Sequence, residues 1–503
     1  MLSFAVFFDG QPADELDLSS AYVLGTDDVP LRAELGLKNG VIGCRKRAAG
    51  PAGLALVWKV SGIGEVLLES VRVPERRGPY LLTVELARGR LMRLSERVED
   101  WGLLAHASAA DGLASMDTAR DLLIRALQAD GGGEASALGD ASLMHAVRAS
   151  ETLAGVHAEQ LLAKRCERGG VGRRAFGCAV GLGKPTDLHH KRLSTGFDFA
   201  TLPMTWRDIE PREQAFHWEP LDTWVEWLAK HHIPIRGTSL VSFSEANVPD
   251  WLYIWEHDFD TIRDLAFEHA RRVLTRYGQY VQVWDVISGI HAPTCFAFTF
   301  EQLMELTRMA AALCRQASPR SGVVIDMVMP WGEYYARNQR TIPPALYADM
   351  VVQSGVNFDA FGLQFRFGRN EDGMFARDMF SISALLDQFG KVGKPLHITG
   401  VQVPSAPAGD DDGGTQSAGG VWHEPWSESV QAAWLRQFLE IAMSKPFVER
   451  VSWGCLADAP KHGAPHDGVL RADLTPKPAF EALVKLRAEL SGKGGGSRGG
   501  SPA

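Results

Sequence analysis

The sequence predicts an α/β protein: a (β/α)8 TIM barrel preceded by an N-terminal all-β, sandwich-like domain and a helical connector. Three observations carry that expectation. Short apolar runs broken by turn residues fill residues 1–112, helical spacing takes over across 113–168, and eight apolar runs then alternate with amphipathic segments over 172–490. The stretch 491–503 reads as a disordered Gly/Ser-rich tail, too polar and too flexible to bury a core.

In order along the chain, LSFAVFF, GLALVWKV, EVLLESVRV and YLLTVELARG read as strands of the first domain, separated by turn signals such as Asp9-Gly10 and Gly50-Pro51. ASMDTARDLLIRALQ and SLMHAVRASETLAGVHAEQLLAKR read as a helical hairpin, with ADGGGEASALGDA as the break between them. The eight barrel runs lie at 175–183, 197–204, 233–243, 280–289, 322–330, 358–365, 395–403 and 448–457. LDTWVEWLAKH, TIRDLAFEHARRVLTRY and SVQAAWLRQFLEIAMS are among the helical segments between them. A doubly wound sheet shows the same alternation, but a count of eight favours closure. The insertion SAPAGDDDGGTQSAGG (405–420) follows the seventh run, on the catalytic face of a barrel, and is either a lid or a solvated loop.

Composition narrows the function. Lys and Arg total 52 against 61 Asp and Glu, a net charge of −9, so there is no basic footprint and no nucleic-acid partner is expected. Six scattered cysteines without a CxxC pair fit reduced thiols better than disulfides or zinc. The opening MLSFAVFFDG lacks a basic leader region, and no run approaches the roughly 18 apolar residues needed to cross a bilayer. The expectation is a cytoplasmic protein without membrane contact, metal or cofactor.

Several barrel motifs resemble glycoside hydrolase family 10, the retaining endo-β-1,4-xylanases, along most of residues 175–488. They are IEPREQAFHWEPLDTWVEWLAKHHIPIRGTSLV, VWDVISG, FGLQF, HITGV, VSWGCLAD and DLTPKPAFEAL, in the family's order. The family's chemistry uses two carboxyl groups about 5–5.5 Å apart, one an acid/base and one a nucleophile. The resemblance places the acid/base at Gly289 and the nucleophile at Gly400, where no carboxylate exists. Positioned acid–base catalysis alone is worth about 10²–10⁴-fold, so the resemblance implies a catalytically degenerate barrel that binds oligosaccharide or serves as a scaffold. The alternative is an active glycosyl hydrolase using relocated carboxylates, with Glu333 and Glu424 as substitutes and Glu245 and Asp285 also near strand ends.

The same resemblance assigns ligand contacts to Trp206, Asp285, Ser288, Gln364, Arg366 and Trp453. Trp331, Trp422, Trp426 and Trp453 follow strand ends, where they either stack on sugar faces or fill the barrel mouth. Arg366 stands where the family has a histidine. It either draws the site towards acidic sugars or forms an internal ion pair with Asp359 or Glu371. His189, His190, His291 and His423 read as ordinary loop residues, since their spacing suits no zinc site. By analogy, the N-terminal domain is a possible carbohydrate-binding module.

Overall fold

A computed structural model describes residues 1–172, 174–407, 419–459 and 465–491. Most of the 405–420 insertion and nearly all of the expected tail therefore lie outside the described residues.

Eight parallel strands close the barrel in sequence order: Phe176–Ala179, Phe199–Pro203, Ile235–Thr238, Val281–Ser288, Gly322–Met327, Ala360–Arg366, Leu396–Gln402 and Val448–Trp453. The last pairs back to the first through Cys178 and Trp453. Each coincides with one of the eight apolar runs, the sixth passing its run by the single residue Arg366, because strands covered on both faces need continuous apolar sequence. The intervening helices start on readable signals. Thr299 and Gln302 form a capping box at Phe300–Ala317, Asp258 caps Phe259–Tyr277, and Asp378 caps Met379–Gly390. Among the described residues, no helix is long and apolar enough to cross a membrane.

The N-terminal part is strand-rich as expected, with two sheets sharing one core. Tyr80–Leu81, Leu2–Ala5, Val41–Lys46 and Ala33–Lys38 form the first sheet. The second runs Val421–Trp422, Gly64–Glu69, Gly53–Val60, Tyr22–Leu24 and Pro30–Leu31, so one of its edges comes from beyond the seventh barrel strand.

Two expectations need correction here. YLLTVELARG is a strand only at Tyr80–Leu81; from Leu82 it is the first turns of helix α1 (Leu82–Asp100). A short apolar run is ambiguous between strand and helix, and the nineteen-residue amphipathic continuation decides it. Helix α2 (Ala110–Gln128) appears as predicted, but ADGGGEASALGDA does not separate it widely from the next helix, because α3 (Gly132–Glu167) begins inside that stretch. Its small residues serve close packing: a Cβ at Gly139 would lie 2.7 Å from Thr83 Oγ1 of α1.

These helices and the second sheet dock on the loops after the fifth, sixth and seventh barrel strands. Arg90 of α1 grips Asp378 with two hydrogen bonds, 2.9 and 2.6 Å. Glu151 of α3 accepts from Trp422 Nε1 at 2.9 Å and the Met379 amide at 3.1 Å, and pairs with His423 at 2.8 Å. Arg377 pairs with Glu333, lies 4.2 Å over the Trp331 ring, and reaches the Tyr22 hydroxyl at 3.4 Å. The N-terminal part thus covers one flank of the barrel mouth.

Candidate functional site: the barrel mouth

The loops after the second to sixth strands enclose a cavity of about 820 Å³ at the C-terminal end of the barrel. That is the size and place of a small-molecule site. Its wall is rich in short polar side chains, including Thr205, Thr238, Ser242, Ser288, Asn338 and Gln364. Such groups offer both donors and acceptors at low charge, which suits a polyhydroxylated ligand.

The inner wall is organised around Asp326, on the fifth strand and fully buried. One carboxylate oxygen accepts from Ser288 Oγ at 2.5 Å and Gln364 Nε2 at 2.6 Å; the other accepts from Thr399 Oγ1. A buried carboxylate is tolerated only with such partners. Four consecutive strands thereby lock their C-terminal ends together. Ser288 and Gln364 line the cavity, while Asp326 and Thr399 do not. Sequence reasoning passed over Asp326. Its signal is a single acid inside the apolar run GVVIDMVMP.

Gly289 follows Ser288 at a left-handed φ of 65°, and its amide donates to the Asp326 carbonyl at 3.0 Å. A Cβ there would lie 3.1 Å from Val328 Cγ2. Gly400 pairs with Gln364 across the strands, and a Cβ there would meet nothing closer than 3.8 Å. The two glycines thus differ: one has strained backbone for any side chain, and the other has room.

Of the remaining expected contacts, Arg366 lines the cavity, while Trp206, Asp285 and Trp453 do not. Asp285 lies inside the barrel and receives Arg236 Nε at 3.1 and 3.0 Å. Burial pushes its carboxyl up to about 6, with the Arg236 guanidinium opposing. Trp206 is buried, donates to Glu210 at 3.0 Å and stacks on His269 at 4.7 Å. Trp453 is buried and donates to the Asp467 carbonyl at 2.8 Å. Trp422 is held by Glu151, Trp426 by the Gly420 carbonyl at 3.0 Å, and Trp331 packs between Phe365 and Arg377. None of the four mouth tryptophans lines the cavity, so filling prevails over stacking.

The proposed substitute acids are also committed elsewhere. Glu333 is 1% exposed and paired with Arg377, while Glu424 is exposed beside the strand that joins the N-terminal sheet. Neither lines the cavity; Glu245, Glu371 and Asp372 do. Asp372 pairs with Arg337 at 3.1 Å, and Arg337 also binds the Ser19 carbonyl, so the N-terminal part backs this wall. Arg366 faces the cavity without an ion pair among the described residues. Asp359, one partner suggested for it, instead receives Arg315 at 2.7 Å and the Val323 amide at 2.7 Å.

His291, in the turn after the fourth strand, is fully buried against Tyr347, bonded to the Val328 carbonyl at 3.0 Å, and pushed down to about 4 by burial, so it is a neutral, buried loop residue. His189 caps a helix through Thr186, and His190 packs on His231 at 4.4 Å. No group of three or more potential metal ligands occurs among the described residues.

Comparison with known proteins agrees with the barrel. The chain is 22% identical over 264 residues to endo-1,4-beta-xylanase B of Thermotoga neapolitana, covering 50% of this chain and 67% of that protein. It is 25% identical over 166 residues to endo-1,4-beta-xylanase 3 of Hypocrea jecorina, covering 32% of this chain and 46% of that one. The chain thus spans about half the length of the second relative. A solved GH10 structure from Paenibacillus barcinonensis superposes with a TM-score of 0.48 at 18% identity, covering 65% of this chain and 97% of that one. The native xylanase 10B of Thermotoga maritima gives 0.47 at 16% identity, covering 65% and 98%. The model of glycosyl hydrolase family 10 matches residues 171–486, well over half of the sequence, and the chain belongs to that family.

Proposed function

We propose that the barrel mouth binds a short xylo-oligosaccharide without cleaving it. The observation that carries this reading is the contrast within one cavity: a wall of hydroxyls and amides is present, while Ser288, Gly289 and Gln364 on that wall, and Gly400 paired with Gln364 beside it, bring no carboxylate. The double displacement needs one group to protonate the leaving oxygen and another to attack the anomeric carbon. Glycine does neither. Asp326 is close by, but it is fully buried, and its oxygens are taken up by Ser288, Gln364 and Thr399. The xylo-configuration is suggested by the curated relatives, which are named as endo-1,4-beta-xylanases. Arg366 on the rim would favour sugars that carry a carboxylate. All six cysteines are free, in keeping with a reducing compartment, where imported oligosaccharides rather than polymeric xylan would be met.

The test is calorimetric titration with a xylo-oligosaccharide series, run beside product analysis of the same mixtures. Saturable binding without released sugar is the expected result, and robust turnover overturns it. A second reading, hydrolysis by relocated carboxylates, now rests on Glu245 and Glu371, which line the cavity from the loops after the third and sixth strands. It predicts turnover that Glu245→Gln or Glu371→Gln abolishes.

A further inference from the structure

A second cavity, also about 820 Å³, lies between α3 and the second sheet of the N-terminal part and shares no lining residue with the barrel mouth. Its walls are mostly apolar, with Val57, Trp58, Leu143 and Met144 among them. Phe8 stacks on Trp58 with ring centroids 5.7 Å apart and planes at 17°, and Phe8 is 45% exposed. An aromatic pair with one open face is therefore available to a ligand.

The charges around this cavity do not cancel. Lys59 and Glu65 stand directly opposite each other on neighbouring strands. Asp17 is occupied by Ser19, whose amide and hydroxyl donate to its two oxygens at 2.8 and 2.9 Å. Asp140 remains. Its Oδ1 accepts from Trp58 Nε1 at 3.2 Å, which fixes the carboxylate beside the indole, and Oδ2 has no hydrogen-bond partner among the described residues. Partial burial pushes this carboxyl up to about 6, leaving it ionised above neutrality and poorly solvated.

We propose that this cavity is a binding site for a small organic ammonium, whose apolar body packs along Trp58 and Met144 while its cationic head meets Asp140 Oδ2 and the Phe8–Trp58 rings. Two independent features select that chemistry. An apolar chamber lined by three carboxylates and one lysine, with Asp140 Oδ2 unpartnered among the described residues, rejects anions and rewards a cation that brings its own hydrocarbon. Aromatic faces beside the carboxylate attract the same charge through the ring quadrupole. Asp140, three turns before Glu151 on α3, lies outside the barrel and has no part in the sugar reading.

The test uses the full chain above neutral pH, with phenethylammonium and the neutral 2-phenylethanol as calorimetric probes. The ammonium should bind about tenfold or more tightly than the alcohol, the worth of a charge-assisted hydrogen bond. Asp140→Asn keeps an acceptor for Trp58, so it should lower ammonium affinity to the alcohol's level and leave the alcohol unchanged. Equal binding of the two probes overturns the proposal, as does failure of the ammonium to bind at millimolar concentration. The comparison of probes on the unaltered protein holds even if the variant folds poorly. Undiminished ammonium binding by a folded Asp140→Asn protein also overturns it.

Discussion

Asp326 at the centre of the barrel mouth and Glu333 at its flank are both acids buried at or just beyond the C-terminal end of the fifth strand, yet their partners differ in kind. Asp326 is held by neutral donors, Ser288, Gln364 and Thr399. Glu333 is held by a cation, Arg377, which also touches Tyr22 of the N-terminal part. The first arrangement lends negative potential to a cavity wall. The second cancels its charge and joins two parts of the molecule. An acid near a barrel-strand end is thus a candidate for chemistry only until its neighbours are known.

The largest expected effect lies at the flank. Arg377→Ala strands Glu333 as an unpaired buried charge, and should cost about 3–5 kcal/mol in denaturant unfolding. A paired Glu333→Gln/Arg377→Met replacement should recover most of that, and a single-mutant cost below that of an ordinary surface change would erase the contrast. At the mouth, Asp326→Asn removes an ionised acceptor from three donors and should cost about 1.5–3 kcal/mol by the same measurement. It should also weaken oligosaccharide binding, because Ser288 and Gln364 lose their fixed orientation.

Smaller effects separate the two glycines. Gly289→Ala should cost about 1 kcal/mol, since φ is 65° and Val328 is close, while Gly400→Ala should be near neutral. Thermal unfolding of the two single variants checks this. It also sets the order for attempts to restore carboxylates, with Gly400→Glu the easier half.

The smallest effect concerns pH. The hydrogen bond to Glu151 raises the pKa of His423, helped by Glu424 and opposed by burial and Arg148. A raised folded-state pKa means the contribution is complete below the ordinary histidine value, about 6.5, and fades as pH rises through the folded value. The unfolding temperature should therefore fall slightly more steeply above pH 6.5 in the unaltered protein than in His423→Gln.

The barrel was legible because each buried parallel strand writes a continuous apolar run, and eight of them leave few other architectures. Ser288 and Gln364 were also legible, through motifs anchored to those strands. What escaped were facts of distance between elements. Nothing in MPWGEYYARN says that Glu333 will meet Arg377, and nothing in WDVISG says that Asp285 will be spent on Arg236 inside the barrel. The mouth tryptophans left two readings open for the same reason. Their sequence positions could not show that the indole nitrogens of Trp422, Trp426 and Trp453 would meet Glu151, Gly420 and Asp467. The start of α1 failed differently, because Tyr80–Val84 alone carries no period long enough to separate strand from helix.

The edge strand Val421–Trp422 has a consequence for how the chain is born. Gly64–Glu69 gains its outer partner only when residues more than 350 positions later have left the ribosome, as the pairing of Glu65 with Val421 requires. Until then the nascent N-terminal part carries an open β-edge of the kind that recruits other chains. Nearly the whole polypeptide must therefore be synthesised before its first-made sheet is sealed, and any truncation ahead of Val421 should yield material prone to edge-to-edge association rather than a tidy N-terminal fragment.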